Sequence, residues 1–247
     1  MSSLSALFFV ALSLLFGSVP TTAASLTVAA AADIASAEQD LTDGFHRLNP
    51  PDSVRFVFAA SGALAQQIAN GAPYDVFLSA NEEFIDQLAL TQKIIQSTVH
   101  VYAFGQLGIL WRDGKAHDLK DTSAQWVRLV AIANPKLAPY GAAAQQALEH
   151  ENLWDVIRPK IVLGENVRQT LQIFDSGNAE VVLTSYSLMA NRPSAAVIPD
   201  DWHKPIRQKS GIVAISQNKE AARRFLAFLT SPAGARILTA HGLKPQK

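Results

Sequence analysis

After residue 24 the chain alternates short apolar runs with amphipathic stretches, twice over, and this order constrains the fold more than any other feature of the 247 residues. Leu26–Ala31 is an apolar run of strand length. Ile34, Ala37, Leu41 and Phe45 follow at spacings of 3, 4 and 4, one face of a helix. Val54–Ala59 reads as the next strand, and a helix over Gly62–Ala69 ends at Asn70-Gly71. Val76–Ser79 is a strand again, and Asn81 caps a helix carrying Phe84, Ile85 and Leu88. Strand, helix, strand, helix predicts a parallel sheet with right-handed crossovers.

The second series follows Val99–Trp111, a β-rich stretch interrupted by Gly105 and Gly108. Its strands are expected at Leu129–Ala133, Ile161–Leu163, Val181–Ser185 and Gly211–Ile215, with helices at Ala142–Glu149 and Arg168–Phe174. Two further helices close the chain, the last opened by Ser231-Pro232. No solenoid repeat and no low-complexity linker separates the two series. The pattern predicts an α/β chain of two lobes packed across a cleft, joined by crossover strands near Val101–Leu110 and Gln208–Ala214. The first lobe takes residues 25–103 and 210–247, the second residues 104–209. One doubly wound sheet is the alternative.

Residues 1–24 stand apart, because none of them carries an ionisable side chain. The apolar run Ala6–Phe16 is far short of the ~20 residues that span a bilayer, and matches the core of a signal peptide. Gly17, Pro20 and the small residues Thr22, Ala23 and Ala24 follow it, so cleavage is expected before Ser25; a buried N-terminal helix is the alternative. With no cysteine in the chain, a lipid anchor at the new N-terminus has no attachment point, and a freely diffusing periplasmic protein is expected.

The 21 basic and 21 acidic residues give no electrostatic case for nucleic acid. The missing cysteines exclude disulfides, thiolate metal sites and a cysteine nucleophile. His46, His100, His117, His150, His203 and His241 show no metal-ligand spacing, and no G-x-S-x-G elbow, P-loop or G-x-G-x-x-G is present. Catalysis therefore has no motif behind it. The four tryptophans, Trp111, Trp126, Trp154 and Trp202, read as core packing, with Trp202 a reporter of closure if it lies near the cleft.

Four turns look alike: Ala32-Asp33, Ser61-Gly62, Tyr140-Gly141 and Asn166-Val167 each stand where a strand ends and a helix begins. In an α/β sheet such turns gather at the carboxyl ends of the strands, where ligands bind. Each helix start offers unpaired N–H groups and the positive end of the helix dipole. Taken singly, each turn is an ordinary helix cap. Two from each lobe, facing across a cleft, form a cage of neutral donors for an anion.

The segments AAADIASAEQDL (Ala30–Leu41), NGAPYDVFLSANEEF (Asn70–Phe84), IANPKLAPYG (Ile132–Gly141), LGENVRQTLQ (Leu163–Gln172) and WHKPIRQ (Trp202–Gln208) resemble the periplasmic molybdate-binding proteins of molybdate ABC transporters. The resemblance runs in order from about Leu26 to Leu243. It implies a type II periplasmic-binding-protein fold, monomeric, that closes on one tetrahedral oxyanion, molybdate or tungstate, and delivers it to an ABC permease. It implies no cofactor and no cation. Carried over by position, the oxyanion site is Asp33, Ser61, Tyr140 and Val167, which would meet the metal only through its oxygens. Ser61 would donate its hydroxyl and N–H, Tyr140 and Val167 chiefly their N–H groups. Asp33 departs from the serine found in many members, and a bare carboxylate repels a dianion. The expected resolution is that Asp33 caps its own helix and offers only backbone N–H. Some members place a tyrosine hydroxyl where this chain has Ser185 beside Tyr186, so neither is in the expected site. The alternatives are another ligand (sulfate, phosphate or a small organic anion), a secreted enzyme, and an interaction domain without a small ligand.

Overall fold

The computed structural model describes Ala23–Gln246; residues 1–22, nearly all of the expected signal peptide, lie outside the described residues, as does Lys247. The first sheet is built on β1 (Ser25–Ala31), which pairs in parallel with β2 (Ser53–Ala59) and β3 (Val76–Ser79). From Val28 to Ala31 every residue of β1 is buried, because both faces of the strand are covered. The helices α1 (Glu38–Leu48), α2 (Ser61–Ala69) and α3 (Glu82–Leu90) alternate with these strands. The expected cap at Asn81 forms, its side chain accepting from the Glu83 N–H at 2.8 Å. The first turn after β1 departs from the expected helix: Ala32–Ala37 is a 3-10 turn that leads into α1.

The second sheet holds β5 (Leu107–Trp111), β6 (Val130–Ala133), β7 (Ile161–Gly164), β8 (Val181–Ser185) and β9 (Ala196–Val197) in the order β7-β6-β8-β5-β9. Its helices are α4 (Pro139–His150), the short α5 (Trp154–Ile157) and α6 (Val167–Asp175). Two sheets, not one doubly wound sheet, thus carry the chain.

Two strands connect them. β4 (His100–Gly105) belongs to the first sheet and is separated from β5 only by Gln106. The chain returns through β10 (Ile206–Ile212), which runs antiparallel between β4 and β3. The sheets therefore change at Gln106 and just ahead of Ile206, a few residues from the limits read at 103 and 209. The expected strand Gly211–Ile215 starts earlier than its apolar residues suggest. Its alternation is present, but two inward positions, Gln208 and Ser210, are polar and fully buried. The chain ends with α7 (Lys219–Leu229), α8 (Pro232–Ala240) and the edge strand β11 (Lys244–Pro245). Ser231 caps α8 as its Ser-Pro sequence predicts.

Each sheet has its own core. Phe45 of α1 packs on Phe225 and Phe228 of α7, with ring centroids 5.4 and 6.0 Å away, over Leu26, Val28 and Leu78. Trp111, Ile132, Leu183 and Tyr140 belong to a second cluster, which also takes in Ala31 at the end of β1 and Ala60 and Ala80 just after β2 and β3. The carboxyl ends of the strands are therefore packed together.

One glycine sets how closely α4 approaches β6. A Cβ on Gly141 would stand 2.1 Å from the carbonyl oxygen of Ala133. Gly141→Ala is expected to introduce ~1–3 kcal/mol of overpacking, lowering Tm by roughly 2–4 °C per kcal/mol. A thermal melt of the two proteins checks it, and an unchanged Tm would mean that α4 can shift freely.

Candidate functional site

The turns after β1 and β2 meet the starts of α4 and α6 around one cavity between the sheets. Asp33, Ser61, Tyr140 and Val167 all line it, with Ala60, Ala80, Ala138 and Pro139 among its other walls. The space they enclose is small. Organic ligands commonly occupy ~300–1,000 Å3, so this cavity suits a small inorganic ion. It is shut: Ser61 is 0 % exposed, Asp33 and Tyr140 1 %, and Val167 4 %.

What the cavity offers is hydrogen-bond donors. Ser61 and Val167 open α2 and α6, and Tyr140 follows Pro139 at the start of α4. Among the described residues no acceptor reaches the N–H of any of the three. At α6 the Asn166 side chain takes the next two N–H groups, of Arg168 at 3.0 Å and Gln169 at 3.1 Å, and leaves that of Val167 over. At α2 the Gly62 N–H donates across to the Leu137 carbonyl at 3.0 Å, pinning the two sides together. Ser61 Oγ accepts from the Ala80 N–H at 3.0 Å, so its own hydrogen is free to donate to a guest. Ser61→Ala removes that donor and strands the Ala80 N–H. It should weaken anion binding about 10- to 150-fold, as for a hydrogen bond to a charged group, and also lower Tm; titration and melting of the same sample read both.

Asp33 does not do what its position suggests. The 3-10 turn has no side-chain cap. The carboxyl points inward instead, where Oδ2 accepts from the Tyr140 hydroxyl at 2.9 Å and from Gln208 Nε2. Gln208 also donates to the Tyr140 hydroxyl at 3.2 Å and accepts from the Tyr102 hydroxyl at 2.8 Å. The Asp33 carbonyl accepts from Ser187 Oγ at 2.5 Å, which is 2.7 Å from Ser185 Oγ. Asp33 Oδ1 is buried without a partner. Burial pushes the carboxyl up from 3.8 to about 6, against the opposing pull of the Tyr140 and Gln208 hydrogen bonds. Tyr102 and Tyr140 are pushed well above 10.0 by burial, with the Asp33 charge adding to it. Tyr140 thus brings two groups to the site: its N–H toward the cavity and its hydroxyl to Asp33.

Residues 26–244 match the bacterial extracellular solute-binding proteins. The chain belongs to that family. It is 30% identical over 241 residues to the molybdate-binding protein ModA of Rhodobacter capsulatus, covering 94% of this chain and 93% of that one. The periplasmic molybdate-binding protein of Azotobacter vinelandii superposes with a TM-score of 0.84 at 28% identity, covering 90% of this chain and all of that one. The sulfate-binding protein SubI of Mycobacterium tuberculosis shares the fold alone, with a TM-score of 0.76, 16% identity and coverage of 90% and 87%. Family and relatives are substrate-binding transport proteins rather than enzymes, and the architecture is that of periplasmic binding proteins.

Several features of this solute-binding protein escaped the sequence. Gln208, Tyr102 and Ser187 hold Asp33 from 69 to 175 residues away, and nothing in the local pattern around any of them marks that role. Trp202 is no reporter of the cleft: it stacks on His150, ring centroids 5.2 Å apart, at the opposite end of α4 from Tyr140, about 15 Å along the helix. Among the described residues no group of three or more His, Asp and Glu could hold a metal ion, and no helix is long and apolar enough to cross a membrane.

The raised Asp33 value has a consequence for stability. The folded chain holds this proton between about pH 4 and pH 6, where the unfolded chain has released it. Ligand-free stability therefore falls as pH rises through that window and stays lower above it, by on the order of 3 kcal/mol for a shift of about two units. Asp113, Glu151 and Glu180 are held low and act in the opposite sense. The informative quantity is the difference from Asp33→Asn, which should gain on the parent protein as pH rises from 4 to 7; parallel Tm curves for the two would contradict the assignment.

Proposed function

We propose that this solute-binding protein captures molybdate or tungstate in the closed cavity and delivers it to the membrane permease of an ABC transporter. The observation that carries the reading is the convergence of acceptorless N–H groups of Ser61, Tyr140 and Val167, with the Ser61 hydroxyl, on one small buried space. The names of the relatives from Rhodobacter capsulatus and Azotobacter vinelandii support the choice of ion. The two sheets with their helices form the two lobes, divided near Gln106 and Ile206, which close on the anion about β4 and β10. The protein works as a periplasmic monomer, exported by residues 1–24, and needs no cofactor.

Donors without acceptors favour oxygens that carry no proton. Hydrogen phosphate would bury a proton unpaired wherever it meets only N–H groups, a loss of ~1–3 kcal/mol. Sulfate is as fully deprotonated as molybdate, so cavity size separates those two. Calorimetric titration with molybdate, tungstate, sulfate and phosphate tests the reading: the first two should bind most tightly, and silence toward both would overturn it. Because fixed dipoles rather than exposed ions hold the anion, affinity should change by less than about threefold between ~0.05 and ~0.5 M salt. A steep fall over that range would point to surface cations instead.

A further inference from the structure

Asp33 is the one acidic side chain on the cavity wall, and its two oxygens are not equivalent. Oδ2 already accepts from both Tyr140 and Gln208, so a proton arriving at the carboxyl finds Oδ2 occupied. Oδ1 is buried and bare. Protonated, it becomes a neutral O–H donor of the same kind as Ser61; ionised, it is an unpaired charge in a residue of the cavity wall.

Nothing nearby neutralises that charge. The groups that meet the carboxyl are neutral: Tyr140 from α4 and Gln208 from β10, with Tyr102 of β4 behind Gln208, and the backbone N–H groups of Asp33 and Ile34. The turn after β8 contributes only the Ser187 hydroxyl, bonded to the Asp33 main chain. The charged and titratable side chains of the other elements packed on this turn (Glu38, Asp40, Asp43, His46 and Arg47 of α1, Arg55 of β2, Arg168 and Asp175 of α6, Arg236 of α8) are exposed.

We propose that Asp33 couples anion capture to one proton, which the occupied site holds between Asp33 Oδ1 and a ligand oxygen. The inference rests on the oxyanion reading above and sharpens its ligand class. A fully deprotonated oxyanion such as molybdate, tungstate or sulfate enters with a proton taken from solvent, which settles on Oδ1 and is donated to the ligand. A monoprotonated oxyanion such as hydrogen phosphate brings its own proton, and ionised Oδ1 accepts it. A serine at this position would supply a hydroxyl donor at any pH but would neither take a proton from solvent nor offer a charged acceptor to a ligand proton, so Asp33 makes the site pH-dependent for the first class and opens it to the second.

The test is calorimetric titration of the mature protein with molybdate between pH 6.5 and 9, in pairs of buffers with different ionisation enthalpies. The free carboxyl is ionised above about pH 6, so affinity should fall toward tenfold per pH unit across the upper part of this range, with close to one proton taken up per molybdate bound. Asp33→Asn should bind molybdate with a flat pH profile and no proton uptake. Wild-type affinity that is flat over the range, without proton uptake, overturns the inference while leaving the binding function in place. Uptake that persists in Asp33→Asn overturns it too, since the proton then sits elsewhere. The wild-type proton count stands on its own should Asp33→Asn fail to fold. Absence of heat with molybdate, tungstate and sulfate at every pH would remove the oxyanion reading itself, and the inference with it.

Discussion

Val167→Pro is expected to weaken molybdate binding about 10- to 150-fold while leaving the fold and the ligand-free Tm nearly unchanged. Proline is at home in the first position of a helix, where its missing N–H has no intrahelical partner. Val167 is that position in α6, and Asn166 before it already has φ −148 and ψ 174, the extended backbone that precedes proline. The Asn166 cap serves Arg168 and Gln169, so it survives the change. The N–H that disappears donates to nothing within the described chain, so only a guest can miss it. A hydrogen bond to a charged partner contributes ~1.5–3 kcal/mol, which converts to the stated range. Val167→Ala is the control: it keeps the N–H and should bind within about threefold of the parent. Equal losses in both variants would show that the valine side chain, not its amide, faces the ligand.

Gly105→Ala should act on closure. Gly105 ends β4, at the first connection between the sheets, and a Cβ there would lie 2.2 Å from the Tyr140 hydroxyl and 2.9 Å from Ile206 Cγ2. The hydroxyl has nowhere simple to go, since it is held by Asp33 and Gln208. Moving it shifts the start of α4, which also carries the Tyr140 N–H. Overpacking of ~1–3 kcal/mol borne by the closed arrangement translates into roughly 5- to 150-fold weaker anion binding. Tyr140→Phe removes the oxygen that clashes, so the double variant should lose less affinity than the two single losses added together. Strict additivity in that cycle would mean that Gly105 and Tyr140 do not meet when the site is closed.

The parts of the site made by local chain geometry were legible in the sequence. Ser61, Tyr140 and Val167 stand where an apolar run gives way to a helical period, and such junctions place backbone N–H groups whatever the rest of the molecule does. The parts made by distant side chains were not. Asp33 looks like a capping residue, because aspartate at a helix start usually is one; only folding brings Tyr140 and Gln208 against it from 107 and 175 residues away. The same cause displaced the expected start of β10. Gln208 and Ser210 occupy inward positions that an apolar alternation would have filled, and Gln208 is buried there because it serves the Asp33 network. Polarity that breaks the apolar alternation of the strand is in this instance the support behind Asp33.

Diffraction at the molybdenum absorption edge, from crystals grown with molybdate, tests the central claim most directly. The account predicts one strong anomalous peak in the cavity between the starts of α2, α4 and α6, with ligand oxygens ~2.7–3.2 Å from the backbone nitrogens of Ser61, Tyr140 and Val167. A peak seated against surface lysines or arginines, or none in that cavity at saturating molybdate, would contradict it.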